Sequence, residues 1–261
     1  MRLAVLQHES TSGDWEKNLA RLEESLQLAA TNRVDVLLTP ELYLTGADPH
    51  AVLKNFSASS IAGLHQHLTS LSASYGVALA YSLPEFAADR VFIGSFFLDD
   101  RGHQLASYTR VHLATASERQ HFNAGQSPPQ IFEFHHTKMA LTCGYDAQFP
   151  ENVRFAAAAG AKIVFVPAAA EVGAAALALK LLPARAMENG IYLLWANHCS
   201  VQGQMPMTGR STIIGPDGQN IQLAGRQPQL IVADMDRLRQ QAVRKAAPYL
   251  SQLRPELYRE S

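Results

Sequence analysis

The sequence predicts an α/β protein built on a mixed sheet. Two observations carry this. Short apolar runs alternate with segments of helical periodicity along the 261 residues, and two turn signals, Asp100-Arg101-Gly102 and Gly215-Pro216-Asp217-Gly218, join neighbouring runs as hairpins. Parallel strands need the crossovers that helices supply, whereas hairpins are antiparallel, so a chain with both requires a mixed sheet.

Leu3 to Leu6 reads as a buried first strand. Asp14 to Ala30 places Leu19, Leu22, Leu26 and Ala29 on one helical face. Val34 to Leu38 is a second buried strand, stopped by Pro40. Ile61 to Tyr75 is helical and Val77 to Tyr81 a strand. Phe92 to Asp99 and Gln104 to Tyr108 form the first hairpin, and Lys138 to Cys143 is a strand. Glu151 to Ala159 is a helix, followed by a strand at Lys162 to Val166, a helix at Leu177 to Gly190 and a strand at Ile191 to Ala196. Thr212 to Ile214 and Ile221 to Leu223 form the second hairpin. Leu230 to Met235 is a late strand and Asp236 to Ala246 a helix. No internal repeat, low-complexity linker or composition break is visible, so one domain over 1–261 is expected.

Hydrophobic residues make up 47% of the chain and charged residues 17%, enough for a large interior and few enough charges to suggest surface hidden in an oligomer. A formal net charge of −1 gives no field to steer nucleic acid or an anionic membrane. Two cysteines, Cys143 and Cys199, make neither a disulfide framework nor a four-ligand zinc site. The beginning, Met1 to Gln7, lacks the apolar core of a signal peptide, and no apolar run is long enough to span a bilayer; a cytoplasmic protein is expected. His65 and His67 on a helical segment do not share a face. His135 and His136 diverge if the chain is extended there. No metal site and no cofactor are expected.

The most informative stretch is Leu141-Thr142-Cys143-Gly144-Tyr145-Asp146-Ala147-Gln148-Phe149-Pro150-Glu151. Four others accompany it: Thr39-Pro40-Glu41-Leu42-Tyr43-Leu44-Thr45-Gly46, Tyr108-Thr109-Arg110-Val111-His112-Leu113, Glu118-Arg119-Gln120-His121-Phe122-Asn123-Ala124-Gly125, and Arg185 to Asn189 followed by Trp195-Ala196-Asn197. Gly209-Arg210-Ser211 and the ending Arg254-Pro255-Glu256-Leu257-Tyr258 follow in order. Together these resemble the nitrilase, or carbon–nitrogen hydrolase, superfamily over nearly the whole length. The resemblance implies a four-layer αββα sandwich and dimers that pair across helices. It also implies covalent catalysis, in which a thiolate attacks an amide or nitrile carbon, a glutamate takes the thiol proton and a lysine stabilises the tetrahedral intermediate.

By that resemblance Glu41 stands at the general-base position and Glu118 at a second active-site glutamate. Arg110 occupies the lysine position. Ungapped counting back from Tyr145 puts Gly144 at the nucleophile position and Cys143 one place early. Neighbouring residues of that strand point to opposite faces, so with Gly144 facing the pocket Cys143 points into the packing behind it. Glycine supplies no nucleophile; Arg110 keeps a positive charge that can hold an anion or pair with Glu41 or Glu118. These departures point to a protein without ordinary Cys-dependent amide or nitrile hydrolysis, a repurposed small-molecule binder or pseudoenzyme. The alternative is an active, divergent hydrolase of non-peptide amide bonds that uses Cys143 or a water activated by Glu41. A structural interaction module is a third reading, favoured only by the low surface charge. A small amide, nitrile or carboxylate is the expected ligand. The loops Ala47 to Ser59 and Ala170 to Ala176 are expected to shape the pocket mouth, the second with little polar recognition. Cys199, beside Asn197-His198, reads as structural.

Overall fold

The computed structural model describes residues 1–202 and 205–257. The last residue of the C-terminal motif, Tyr258, lies outside them. Strand β1 (Arg2–Gln7) is followed by helix α1 (Trp15–Thr31), β2 (Val36–Leu38), α2 (Pro49–Asn55), α3 (Ala58–Tyr75), β3 (Ala78–Ala87), β4 (Arg90–Leu98), β5 (Gln104–Thr109) and α4 (Ala116–His121). Next come β6 (Ile131–Phe134), β7 (Thr137–Leu141), α5 (Pro150–Ala158), β8 (Ile163–Pro167), α6 (Leu182–Asn189) and β9 (Tyr192–Ala196). A short hairpin, β10 (Val201–Gln202) and β11 (Met205–Pro206), precedes β12 (Thr212–Ile214), β13 (Asn220–Leu223), β14 (Gln229–Asp234), α7 (Arg237–Ala246) and α8 (Tyr249–Gln252).

The strands form two six-stranded mixed sheets, ordered β14-β1-β2-β3-β4-β5 and β13-β12-β9-β8-β7-β6. Period-two alternation explains how they stack. In β1, Leu3 and Val5 face the second sheet, while Ala4 and Leu6 face α1 and α3. Leu22 and Leu26 of α1 and Leu64 and Leu68 of α3 cover that outer face. Val153, Ala156 and Ala157 of α5 and Leu182 and Ala186 of α6 cover the other sheet. Between the sheets lie Leu38, Phe97, Phe132, Met139, Phe165 and Leu194. The result is the αββα sandwich that the resemblance implied. Each fully buried leucine contributes roughly 2 kcal/mol.

The helix ends follow their capping chemistry. Asp14 accepts from the Lys17 N–H at 3.1 Å, which begins α1 one residue later than periodicity alone suggests. Ser57 and Ser60 close a reciprocal capping box on α3, which extends the expected helix by a turn. Gly76, at φ +62°, ends it in the left-handed conformation. The single helix expected over Leu177 to Gly190 is instead a wider π-turn, Leu177–Leu181, leading into α6. Pro183 has no N–H to close an α-helical bond at that point.

Three differences from the sequence reading are informative. β6 and β7 make a hairpin whose turn, His135-His136, has φ +46° and +56°, so these histidines sit in a tight turn and not on extended chain. β7 ends at Leu141, so strand alternation does not reach Cys143 or Gly144. Finally, the strand pattern repeats although the sequence does not. β1-β2-β3 are parallel and continue antiparallel through β4 and β5; β7-β8-β9 are parallel and continue antiparallel through β12 and β13. β14 and β6 add the antiparallel edge in each half.

Candidate active site

The two parallel halves direct their carboxyl ends to a common region. Glu41 follows β2, Cys143 and Gly144 follow β7, Ala168 follows β8 and Asn197-His198 follow β9, while Arg110 follows β5. Loops at the carboxyl ends of parallel strands are where an α/β sheet presents a site. Here they surround a cavity of about 840 Å³ lined by Glu41, Arg110, Glu118, Gly144, Tyr145 and Trp195, among others. Both loops expected at its mouth contribute to the lining, through Ala47-Asp48-Pro49 and through Ala170, Glu171, Gly173, Ala174 and Ala176. The second loop is therefore not free of polar groups, since it brings Glu171 to the lining.

Arg110 organises the charged wall. Its Nη1 donates to Glu41 Oε1 at 2.9 Å and to Glu118 Oε1 at 3.1 Å, and its Nη2 donates to Glu118 Oε2 at 3.1 Å. Its Nε donates to the His112 carbonyl at 2.9 Å. The guanidinium also lies 5.8 Å from the centre of the Tyr145 ring. With both carboxylates beside it, Arg110 is held even more firmly protonated than usual, burial notwithstanding. Glu118 has a second occupation, as the third residue of a capping box on α4: its Oε2 accepts from the Ala114 and Thr115 N–H groups, while Thr115 Oγ1 accepts from the Glu118 N–H.

Glu41 is only 3% exposed. Burial raises its pKa to about 7; Arg110 opposes the rise, and Glu118 and Asp146 add to it. Its Oε1 takes the Arg110 hydrogen bond, and its Oε2 has no hydrogen-bond partner among the described residues. A carboxyl group that titrates near neutrality with one free oxygen is suited to receive and return protons.

Cys143 is completely buried, and its Sγ lies 3.1 Å from Ser95 Oγ on β4. Burial pushes the thiol pKa well up, Glu41 and Asp146 add to this, and Ser95 and Arg110 work against it. The thiol thus belongs to the Glu41–Arg110–Asp146 charge cluster. Gly144 lines the cavity, but a Cβ built on it would lie 2.8 Å from Ala168 Cβ and 3.0 Å from Ala168 Cα. The space a side chain at Gly144 would need is filled by the loop after β8. The glycine is there because another backbone approaches closely.

Six further residues support the site. Asp146, fully buried, accepts from the Tyr108 hydroxyl at 2.7 Å, from the Val111 and His112 N–H groups at 2.9 and 2.8 Å, and contacts His112 Nδ1 at 2.7 Å. It fastens the Arg110 segment to the turn after Cys143. His112 also stacks on Phe149 at 3.8 Å. Ser95 and Tyr108 are register partners on β4 and β5, which explains why one reaches Cys143 and the other Asp146. His198 Nε2 donates to the Glu41 carbonyl at 2.6 Å, and burial lowers its pKa to about 4, so it is neutral. Asn197 donates to the Ala170 and Gly209 carbonyls and accepts from the Ala170 N–H. Asp146 and Asn197 stand inside the motifs already quoted, and that was their signal. Ser95 and His198 carried none that separates them from core residues.

Cys199 is buried beneath this region without lining the cavity. His65 bonds the Tyr81 hydroxyl and His67 stacks on Trp15. Among the described residues no three His, Cys, Asp or Glu are grouped to hold a metal ion, and no helix is long and apolar enough to cross a membrane.

Residues 2–245 match the family model described as carbon-nitrogen hydrolase. A Pseudomonas protegens protein named as a hydrolase in the pqqF 5′ region is 33% identical over 99% of this chain and 90% of its own length. The amidase NitN from Nesterenkonia sp. AN1 superposes with a TM-score of 0.93 at 35% identity, covering 99% of this chain and 98% of that one. A cysteine-to-alanine mutant of the Nesterenkonia amidase, solved in complex with butyramide, superposes with a TM-score of 0.92 at 35% identity, covering 99% of this chain and 95% of that one.

Proposed function

The chain belongs to the carbon–nitrogen hydrolase family, and on that premise we propose that it hydrolyses small non-peptide amides with Cys143 as nucleophile. The observation that carries this is the placement of Cys143 in the turn after β7, its Sγ 3.1 Å from Ser95 Oγ and its neighbour Gly144 on the cavity lining with Glu41 and Arg110; the thiol and the Glu41 carboxyl also influence each other's titration. The sequence-based preference for Gly144 at the nucleophile position assumed a strand that in fact ends at Leu141.

In the proposed reaction Glu41 takes the thiol proton and the thiolate attacks the amide carbon. The C–N bond breaks, and Glu41 returns the proton to the departing amine. Glu41 then deprotonates a water, which attacks the thioester to release a carboxylic acid and restore the cysteine. Arg110 holds Glu41 in place and offers positive charge to the tetrahedral intermediate. Because Cys143 is buried and Gly144 borders the cavity, the turn carrying both must shift slightly for attack. Butyramide, the ligand of the Nesterenkonia relative, is the first substrate to try. The chain is taken to act as one domain and as a homodimer; Phe155 on α5 and Met187 on α6 are about half exposed and offer an apolar surface.

The burial of Cys143 favours a second reading, a binder of small amides or acids that performs no hydrolysis. Ammonia release from butyramide and a nitrile panel decides between them. Turnover by the native chain that disappears in Cys143→Ala and in Glu41→Gln supports the amidase. Binding without turnover supports the second reading. Turnover that survives Cys143→Ala transfers the role to a water activated by Glu41.

A further inference from the structure

The cavity has a charge pattern from which we infer that it takes short amides whose far end is neutral or cationic and discriminates against those bearing a carboxylate. This inference rests on the amide-hydrolase reading and adds the substrate class.

Among the described residues, the charged side chains on the lining are Glu41, Asp48, Glu118 and Glu171 against a single cation, Arg110. That leaves a net negative charge of three, or of two when Glu41 holds its proton. Arg110 has little left with which to neutralise a ligand, since the two carboxylates it holds already balance its charge. Of the five N–H donors of a guanidinium, four are committed, to Glu41, to both oxygens of Glu118 and to the His112 carbonyl. An incoming carboxylate finds one remaining N–H, and a bidentate hold on Arg110 requires displacing Glu41 or Glu118 from it, leaving that group charged and unpaired.

The rest of the described lining adds no further positive charge: Ala168, Ala169, Ala170, Ala174, Ala176 and Leu177 carry no side-chain donors, and Thr115, Ser117, Tyr145, Gln148 and Trp195 offer only neutral ones. What the cavity does provide is an acceptor. Glu41 Oε2 is buried, without a hydrogen-bond partner, on a residue that lines the cavity. The N–H₂ of a primary amide satisfies it; a carboxylate oxygen in that place would repel it. Asp48 and Glu171 come from the two mouth loops, so the far end of a bound ligand lies nearest to acidic side chains. Like charges brought together in a partly desolvated site are strongly disfavoured.

The test compares three amides of similar length: butyramide, 4-aminobutyramide and succinamate. The expected result is a kcat/KM for succinamate more than about tenfold below butyramide, with 4-aminobutyramide at least equal to butyramide. Raising salt to about 0.5 M should narrow the gap, since it screens the mouth charges. Glu171→Lys and Asp48→Asn should narrow it too, by raising succinamate. Succinamate turned over as well as butyramide, or a gap indifferent to salt and to both substitutions, overturns the inference. Calorimetric binding of the same amides to Cys143→Ser separates this from the amidase reading. If no amide is hydrolysed but the affinities keep the same order, the hydrolase reading fails and the charge selection stands. If none is hydrolysed and none binds, both fail.

Discussion

Glu41 concentrates the chemistry of this site in one carboxyl group. It is buried, paired on one oxygen and free on the other, and its pKa is held near 7 by burial. To act as base in the proposed reaction it must be ionised, so kcat/KM for butyramide is expected to rise with pH through about 7 before levelling. Glu41→Gln should lower it by about 10²–10⁴-fold without collapsing the fold. A pH–rate profile flat between 6 and 8 would remove Glu41 from that role. Gly144 makes a complementary prediction. Gly144→Ala places a methyl group against Ala168 and should cost about 1–3 kcal/mol, read by denaturant melts. The same contact predicts that Gly144→Cys combined with Cys143→Ala does not restore hydrolysis. Activity in that double variant would return the nucleophile to the position that ungapped counting assigns.

At the scale of elements, the site depends on one buried carboxylate joining two loops. Asp146, in the turn after β7, holds Tyr108 of β5 and the backbone of the Arg110 to His112 segment. Asp146→Ala leaves those donors without their acceptor, and each buried orphan costs about 1–3 kcal/mol. A total loss near 3 kcal/mol or more is expected, together with loss of activity from the displaced Arg110. Asp146→Asn keeps one acceptor oxygen and should fall between Ala and the native chain. Equal melting of the three proteins would show that the loops are held by something else. The sequence places Asp146 in a motif but cannot show its partners. They come from strands far away in the chain, and only the pairing of β4 with β5 and the stacking of the sheets brings them together.

In the whole molecule, Glu41 and His198 tie the two sheets together, and they respond to pH in opposite senses. Glu41 has its folded pKa raised above the ordinary 4.5, so the fold favours its protonated form. That stability is complete below about 4.5 and is lost as pH rises to about 7. His198 has its folded pKa lowered from 6.5 to about 4, so the fold favours its neutral form. That stability is complete above about 6.5 and is lost as pH falls to about 4. Each shift corresponds to about 3 kcal/mol, and over the shared window the two slopes nearly cancel. Glu41→Gln removes one of them. Relative to the native chain it should melt higher above pH 7, lose that advantage by about pH 4.5, and therefore show the steeper acid sensitivity. Parallel melting curves from pH 4.5 to 8 would contradict this. Taking the difference between the two proteins cancels the other titrating groups.

What the sequence determined by itself was periodicity and local chemistry. Alternating strands and helices gave the class, and the apolar faces of α1 and α3 gave the layer that covers the first sheet. The motifs brought Glu41, Arg110 and Glu118 to one cavity wall. These are legible because each depends on residues a few positions apart, or on a motif kept whole. The tertiary structure decided the rest. It ended β7 at Leu141, set the Cys143 thiol among Ser95, Glu41 and Arg110, and filled the side-chain space at Gly144 with Ala168. It committed Arg110 to two carboxylates and made a topological repeat from halves with no repeated sequence. The reason is that the direction of a side chain past the end of a strand is fixed by what packs against it. At Gly144 the neighbour is the loop after β8, brought there by the pairing of β7 with β8, and at Cys143 it is Ser95 of β4, which meets the thiol only once the two sheets have stacked.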